Sequence, residues 1–458
     1  MKNPGSETNS IRTAVALQPL ERRDVSSFVI AYLLLSCAIP SNLTITALGS
    51  VGRPSTLCGL LAFAWWLLYQ LQRTTPSRTG SQMVRNAMAI FLAIALTSYA
   101  LAMLHGVPEP EASPADSGII RLASWAGIFL LINDGLASQR TLVKVLRALV
   151  MVGTGTALLG LLQFATGSSL VDWIGFPGFS AATELSGVQS RGGFVRAAGM
   201  ASHPLEYGVV LVAALPIAIT FAVTDHHRGW LLRWLPAAII SAAAVLSVSR
   251  SALTAFGVAI IALVPSWSKK VRRRAMLLAI VLAGALYVLT PGMLGTLRGL
   301  FTVGTADPSI SSRTSAYTTA FGMLANNPIV GRGFGTFLPD YVIVDNQYLG
   351  ILVELGVTGL LAFLGLILCA LAAAWRARKR GTDPASRQLP QAVLASLAAI
   401  AVTFAFFDGL SFAMSANMIF FMLGIAGALW RLARTEEPSG VDPGPATGPP
   451  PGRQSNGG

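Results

Sequence analysis

Residues 326–361 read NNPIVGRGFGTFLPDYVIVDNQYLGILVELGVTGLL, and a change of character inside this stretch decides the fold. Up to Asp345 it closes a long polar segment. From Asn346 it opens an apolar run long enough to begin a membrane helix. Working outward, 53% hydrophobic and only 12% charged residues, with a mean hydropathy of +0.61, exclude a soluble globular domain. Windows of roughly 20 mostly apolar residues recur from Phe28 to Arg434. The chain therefore reads as an all-α integral membrane protein with about twelve transmembrane helices. The windows fall near 26–44, 55–71, 84–104, 118–134, 142–165, 203–223, 230–248, 251–267, 275–291, 347–375, 389–408 and 411–432. One long extracytoplasmic loop, about 292–346, separates helices nine and ten.

The formal charge of +13 is explained by where Lys and Arg fall. Threading the chain with its N-terminus inside puts Arg85, Arg140, Lys144, Arg147, Arg233, the 269–274 cluster, Arg376–Arg380, Arg387, Arg431 and Arg434 on the cytoplasmic side, a positive-inside bias that removes any need for nucleic acid. Both termini are then cytoplasmic. Residues 1–25 are a polar N-terminal tail without a cleavage site, 26–434 the membrane domain, and 435–458 a Pro/Gly-rich disordered tail. The arginines left outside are Arg53, Arg121, Arg191, Arg196, Arg250, Arg298, Arg313 and Arg332. Arg53 and Arg121 read as snorkelling side chains.

Arg250, inside Val-Leu-Ser-Val-Ser-Arg-Ser-Ala-Leu, has almost no linker around it, so its guanidinium is held where two spans meet. Arg191-Gly-Gly-Phe-Val-Arg196-Ala-Ala-Gly199 leads into Ser202-His203-Pro204. Pro204 suits a first helical turn and leaves His203 at a helix mouth, as a site residue or as part of the helix start. Ser311 to Tyr317 reads as a capped helix start running to Met323 and stopped by Asn326-Asn327-Pro328. Gly331-Arg332-Gly333-Phe334-Gly335 brings backbone and one arginine together without the Lys-Ser/Thr ending of a phosphate loop. Asp345 is either the cap of the next helix or a base at the membrane edge. Glu109, Glu111 and Asp116 sit in a Pro-rich stretch that reads as a solvated connector. Cys37, Cys58 and Cys369 lie in apolar runs, and the four histidines lack metal-ligand spacing, so neither disulfide, metal nor cofactor is expected.

Arg-Gly-His-Pro, Ser-Arg-Ser-Ala-Leu, Pro-x-x-Gly-x-Gly-x-Gly and Asp-Asn-x-Tyr-Leu, with Glu-Leu-Gly beyond, together resemble the O-antigen ligase and Wzy-type polysaccharide polymerase superfamily over about 188–371. The resemblance implies transfer of an oligosaccharide from a polyprenyl (undecaprenyl) diphosphate donor to a sugar hydroxyl outside the cytoplasmic membrane, in cell-surface polysaccharide biosynthesis. In the ligase branch a histidine commonly stands where this chain has Asp345, which favours the polymerase-like members. The implied catalytic set is Asp345 as base, with Arg250 and Arg196 on the leaving diphosphate. Arg332, Arg313, His203, Asn346 and Tyr348 are the implied substrate-binding set, with His203 the second choice of base. The partners are the lipid-linked donor, a glycan or lipid-linked glycan acceptor and membrane lipid. A lipid-linked oligosaccharide flippase is the competing reading, and it predicts an internal repeat that the two halves do not show.

Overall fold

The chain builds helices wherever an apolar run follows a short polar side chain able to satisfy the first N–H groups. Ser138 and Asp383 each form a reciprocal capping box, with Thr141 and Ser386. Ser249 accepts from the Ala252 N–H, and Asn346 accepts from those of Tyr348 and Leu349. The computed structural model describes residues 24–72, 82–172, 174–181, 189–191, 194–227, 229–247, 249–289 and 308–435. Both tails, Arg298 and the first part of the long loop lie outside the described residues.

The helices are α1 (Ser26–Ala38), α2 (Pro54–Gln72), α3 (Met83–His105), α4 (Glu109–Gly135), α5 (Gln139–Thr166), α6 (Pro204–Thr224) and α7 (Trp230–Leu246). They continue as α8 (Arg250–Leu263), α9 (Lys269–Leu289), α10 (Pro308–Asn326), α11 (Gln347–Arg380), α12 (Pro384–Thr403) and α13 (Ala413–Thr435). Every apolar window carries a helix, and α10 lies within the long loop. By length and composition 7 of them, α2 to α6, α11 and α13, can cross a membrane, while α1, α7 and α8 are shorter apolar helices. The fold is mostly helical, with two short antiparallel pairs in the loops, β1 (Leu43–Ile45) with β2 (Phe179–Ala181) and β3 (Gln189–Arg191) with β4 (Phe194–Arg196).

Two helices form the centre. α6 and α13 are buried over almost their whole length, α6 against α5, α7, α8 and α12, and α13 against α4, α6 and α11. A helix apolar all round belongs in such an interior position. Small residues let the neighbours close in: a Cβ on Gly153 would strike Ala214, and one on Gly160 would strike Tyr207.

The two ends of the bundle differ in chemistry. At one end Asp134 accepts from Trp66 Nε1 at 2.9 Å and from Arg85 at 3.4 Å, and Arg147 pairs with Asp225 at 3.2 Å. There Lys379 lies over Trp375, and Arg380 and Arg434 over Trp430, so basic residues and interfacial aromatics share that end. The opposite end collects the loops 39–53, 327–346 and 404–412 and the described parts of the α5–α6 connection, 167–172, 174–181, 189–191 and 194–203. A correction falls here. The stretch holding Glu109 and Glu111 is the first turn of α4, not a solvated connector, and Glu111 is only 2% exposed.

Candidate active site at the loop end of the bundle

Four loops are tied into one mouth by side chains that reach from helix starts. Glu206, fully buried in the first turn of α6, accepts at one carboxylate oxygen from Ser41 Oγ (2.8 Å), Ser202 N (2.9 Å) and Ser202 Oγ (3.0 Å). Its other oxygen accepts from Met414 N at 2.6 Å, so α6 and α13 begin side by side. Arg53 donates from Nε to the Ser41 carbonyl at 3.1 Å, and burial, followed by the nearby Arg121 charge, holds its guanidinium below the ordinary range. Arg53 is thus built into this network instead of snorkelling. From α11, the Gln347 N–H donates to Phe404 O at 2.9 Å, and Gln347 Oε1 accepts from Leu410 N at 2.5 Å. That pair of bonds brings the 404–412 loop, with Asp408, against the head of α11.

Asp345, Asp408, His203 and Arg196 meet in this mouth. Burial and then Arg196 push the His203 ring down to about 4 against the opposing pull of Asp345, so Arg196 and Asp345 both lie within electrostatic reach of His203. Burial likewise raises the Asp408 carboxyl, Ser411 and Arg121 draw it back, and Asp345 adds to the rise. The His203 ring also packs 5.6 Å from Phe412. Its Nδ1 accepts from Leu205 N at 3.1 Å, which places the ring proton of the neutral imidazole on Nε2. His203 is therefore a helix cap that keeps a hydrogen-bond donor on Nε2. Arg196 ends β4, and the following turn is clamped by Gln163, whose Oε1 accepts from Ala198 N (3.2 Å) and Gly199 N (2.7 Å).

The other sequence candidates divide. Arg250 is the first residue of α8, whose Ala252 lies against Gly208 of α6, so it stands at the same end as His203. Asn346, not Asp345, caps α11, with Oδ1 accepting from Tyr348 N (3.0 Å) and Leu349 N (3.3 Å). Tyr348 donates its hydroxyl to Ala401 O at 2.6 Å. Arg313 is on α10, and its side chain lies outside the described residues. Arg332 is turned away from the mouth: its guanidinium meets Glu111 at 2.6 Å and lies 5.6 Å over the Tyr341 ring.

Three groups escape a reading by apolar windows. Glu354 of α11 accepts from the Gly335 and Phe337 backbone N–H groups and lies within reach of Arg121 and Asp408. Arg121 of α4 faces both carboxylates, and its Nε has no hydrogen-bond partner among the described residues. Asp408 completes the set. The signal for Glu354 was present in the Glu-Leu-Gly motif, since Gly356 breaks α11 there with φ 65° and ψ −168°. The break frees the Val353 and Glu354 carbonyls, which accept from Arg332 N (3.1 Å) and Gly333 N (2.9 Å). The glycine run of 331–335 is thus a backbone brace on a broken helix.

The arrangement offers a carboxylate at the head of a span, a neutral imidazole donor beside it and guanidinium groups on the same mouth, which suits proton removal from one group while negative charge grows on another. No curated protein matches the chain. Residues 235–364, which contain Arg250, Arg332, Asp345 and Glu354, match the family model described as O-Antigen ligase. Over residues 235–364 this multi-pass membrane protein is similar to the O-antigen ligase family.

Proposed function

We propose that the chain is a Wzy-like glycan polymerase that joins oligosaccharides carried on polyprenyl diphosphate, at the outer face of the cytoplasmic membrane. The superfamily acts as membrane glycan ligases and polymerases on lipid-linked glycans; the polymerase direction, the polyprenyl carrier, the twelve-span threading with both termini inside and independence from metal are our extension. The single observation that carries the reading is the convergence of Asp345, His203 and Arg196 at the end of the bundle opposite its basic, tryptophan-bearing end. The segregation of Lys and Arg supports the orientation, with the mouth outside.

In the reaction an acceptor sugar hydroxyl attacks the anomeric carbon of the donor. The new C–O bond forms as the bond to the diphosphate breaks, the hydroxyl proton passes to the Asp345 carboxylate, and the polyprenyl diphosphate leaves with the bonding pair. Asp345 is favoured over His203 as base because the imidazole lone pair at Nδ1 is already engaged by Leu205 N–H and Nε2 carries the proton. His203 then serves as a donor to substrate oxygen. Arg196 and Arg250 supply charge-assisted hydrogen bonds to the diphosphate as its charge grows.

The test is the purified full-length protein in liposomes with a lipid-diphosphate oligosaccharide, a chelator and no nucleotide. A product ladder with released lipid diphosphate supports polymerisation. A single transfer product to a supplied acceptor moves the assignment to a ligase. Translocation of intact donor without bond cleavage overturns it in favour of a transporter.

A further inference from the structure

A second polar cavity lies on the flank of the broken helix. It has a volume of about 300 Å³, at the lower end of the size range of small-molecule sites, and sits between the α3–α4 connection, the end of α10 and the 330–332 segment. Its polar lining is Glu111, Arg332, Asn326, Asn327 and His105, set among apolar groups such as Met323. None of these is in the Asp345–His203–Arg196 mouth.

Charge separates the two places. The mouth holds Arg196 and Arg250, the groups proposed above to meet the diphosphate. In the cavity the Arg332 guanidinium meets Glu111 at 2.6 Å, and the Tyr341 hydroxyl donates to the same carboxylate oxygen at 2.5 Å. A pair this close cancels most of the field that would draw a diphosphate, yet leaves acceptor capacity on the carboxylate and donors on the guanidinium. Arg332 remains 26% exposed while Glu111 is 2% exposed, so the fork is presented on a fixed base. Two asparagine amides add further donors and acceptors. His105 Nδ1 is engaged by the Leu101 carbonyl at 2.7 Å, which makes it the protonated nitrogen and leaves Nε2 an acceptor. Interleaved donors and acceptors with an apolar wall match vicinal hydroxyls and the C–H face of a neutral sugar.

We infer that the Glu111–Arg332 cavity is a neutral-glycan subsite that holds sugar units of the donor or acceptor chain, distinct from the mouth that takes the diphosphate. This rests on the glycan-transfer reading above and adds to it a place for the sugars. The cavity is joined to the mouth through backbone: Arg332 and Gly333 bond the carbonyls of Val353 and Glu354, while Gly335 N–H bonds the Glu354 carboxylate.

The experiment measures two affinities on the full-length protein in nanodiscs. One probe is the lipid-free oligosaccharide released by mild acid from the liposome-assay donor, and the other is farnesyl diphosphate. Glu111→Gln keeps the side-chain shape and removes the charge; Met323→Trp fills the cavity from its wall and leaves the ion pair untouched. In both variants oligosaccharide affinity is expected to fall about tenfold or more, and in Met323→Trp, which keeps the ion pair, farnesyl diphosphate affinity is expected to stay within about twofold. Unchanged oligosaccharide binding in the Met323→Trp protein overturns the subsite, as does its absence from the wild type. Parallel loss of both ligands in Met323→Trp also overturns it, by making the cavity part of the diphosphate site. Farnesyl diphosphate binding that survives Arg250→Ala counts instead against the transfer reading, so the two failures are read separately.

Discussion

Gly331 and Gly356 lie back to back. Both are in the left-handed region, at φ 72° and 65°, and a Cβ on either would overlap backbone of the other's segment, Glu354 for Gly331 and Ile329 for Gly356. Around this contact Val357 N donates to Pro328 O at 2.9 Å and Thr358 N to Ile329 O at 3.3 Å, which satisfies groups that the broken helix exposes. Gly356→Ala must therefore fail twice, by torsion and by overlap with backbone that has no rotamer to give. A loss of more than about 2 kcal/mol is expected. The midpoint of unfolding in mild detergent measures it, and an unshifted midpoint would mean that the brace is not formed.

Glu206 accepts four hydrogen bonds from three segments: Ser41, two groups of Ser202, and Met414. An amide at this position turns one acceptor into a donor facing a donor. Glu206→Gln is expected to cost about 2–4 kcal/mol. The mouth should loosen along with the fold, so protease cutting within 404–412 is expected to rise in the variant, and an equal cutting rate in both proteins would remove Glu206 from that role.

His203 gives the pH dependence. Its folded value is depressed from 6.5 to about 4 by burial and by Arg196. Between those values the unfolded chain binds a proton that the folded chain refuses, so stability is full above the upper value and falls as the medium is acidified through the window. The unfolding temperature of the wild type should drop between pH 6.5 and 4, and His203→Gln should flatten that slope. An identical acid slope in the variant would assign the loss to other groups.

Much of this architecture was legible along the chain. Helix ends are written locally, in Ser249 before α8, in Pro204 at the first turn of α6, and in the Asn326-Asn327-Pro328 stop, where α10 closes at Asn326. Asp345 and His203 stand at helix heads and can be found the same way. Glu111 and Arg332 could not, because they pair across 221 positions and neither carries its partner's location. Glu111 sits among prolines that resemble a connector, and only the packing of α4 buries it. Arg121 reads along the chain as snorkelling because a lone arginine near a span end has that bland explanation, and its two carboxylates arrive from α11 and the 404–412 loop. Long-range charge pairing decides such cases, and one-dimensional periodicity does not encode it.

Arg250 heads α8 with its cap supplied by Ser249, so its side chain is not needed to start the helix. Arg250→Ala is expected to leave the protein folded and inserted and to lower transfer by about 10²–10³-fold. Arg250→Lys should recover little, since an ammonium does not reproduce the planar fork. Normal product formation by the alanine variant in reconstituted membranes would take Arg250 out of the reaction.

Asp345 allows the sharpest separation of chemistry from structure, because Asn346 performs the capping that Asp345 would otherwise be credited with. Asp345→Asn removes the carboxylate and leaves that cap intact. Folding should therefore be preserved, while kcat falls by about 10²–10⁴-fold, the range of a lost general base. KM for the lipid-linked donor should change little, since the proposed reading assigns the diphosphate to the arginines and not to Asp345. Lower stability with modest activity loss would instead make Asp345 a structural residue. Full activity would move proton removal elsewhere, and Asp408, which lies within reach of Asp345 and whose carboxyl is raised by burial, is the next group to test. Single-turnover rates with preformed donor complex, compared for Asp345→Asn and Asp408→Asn, separate the two.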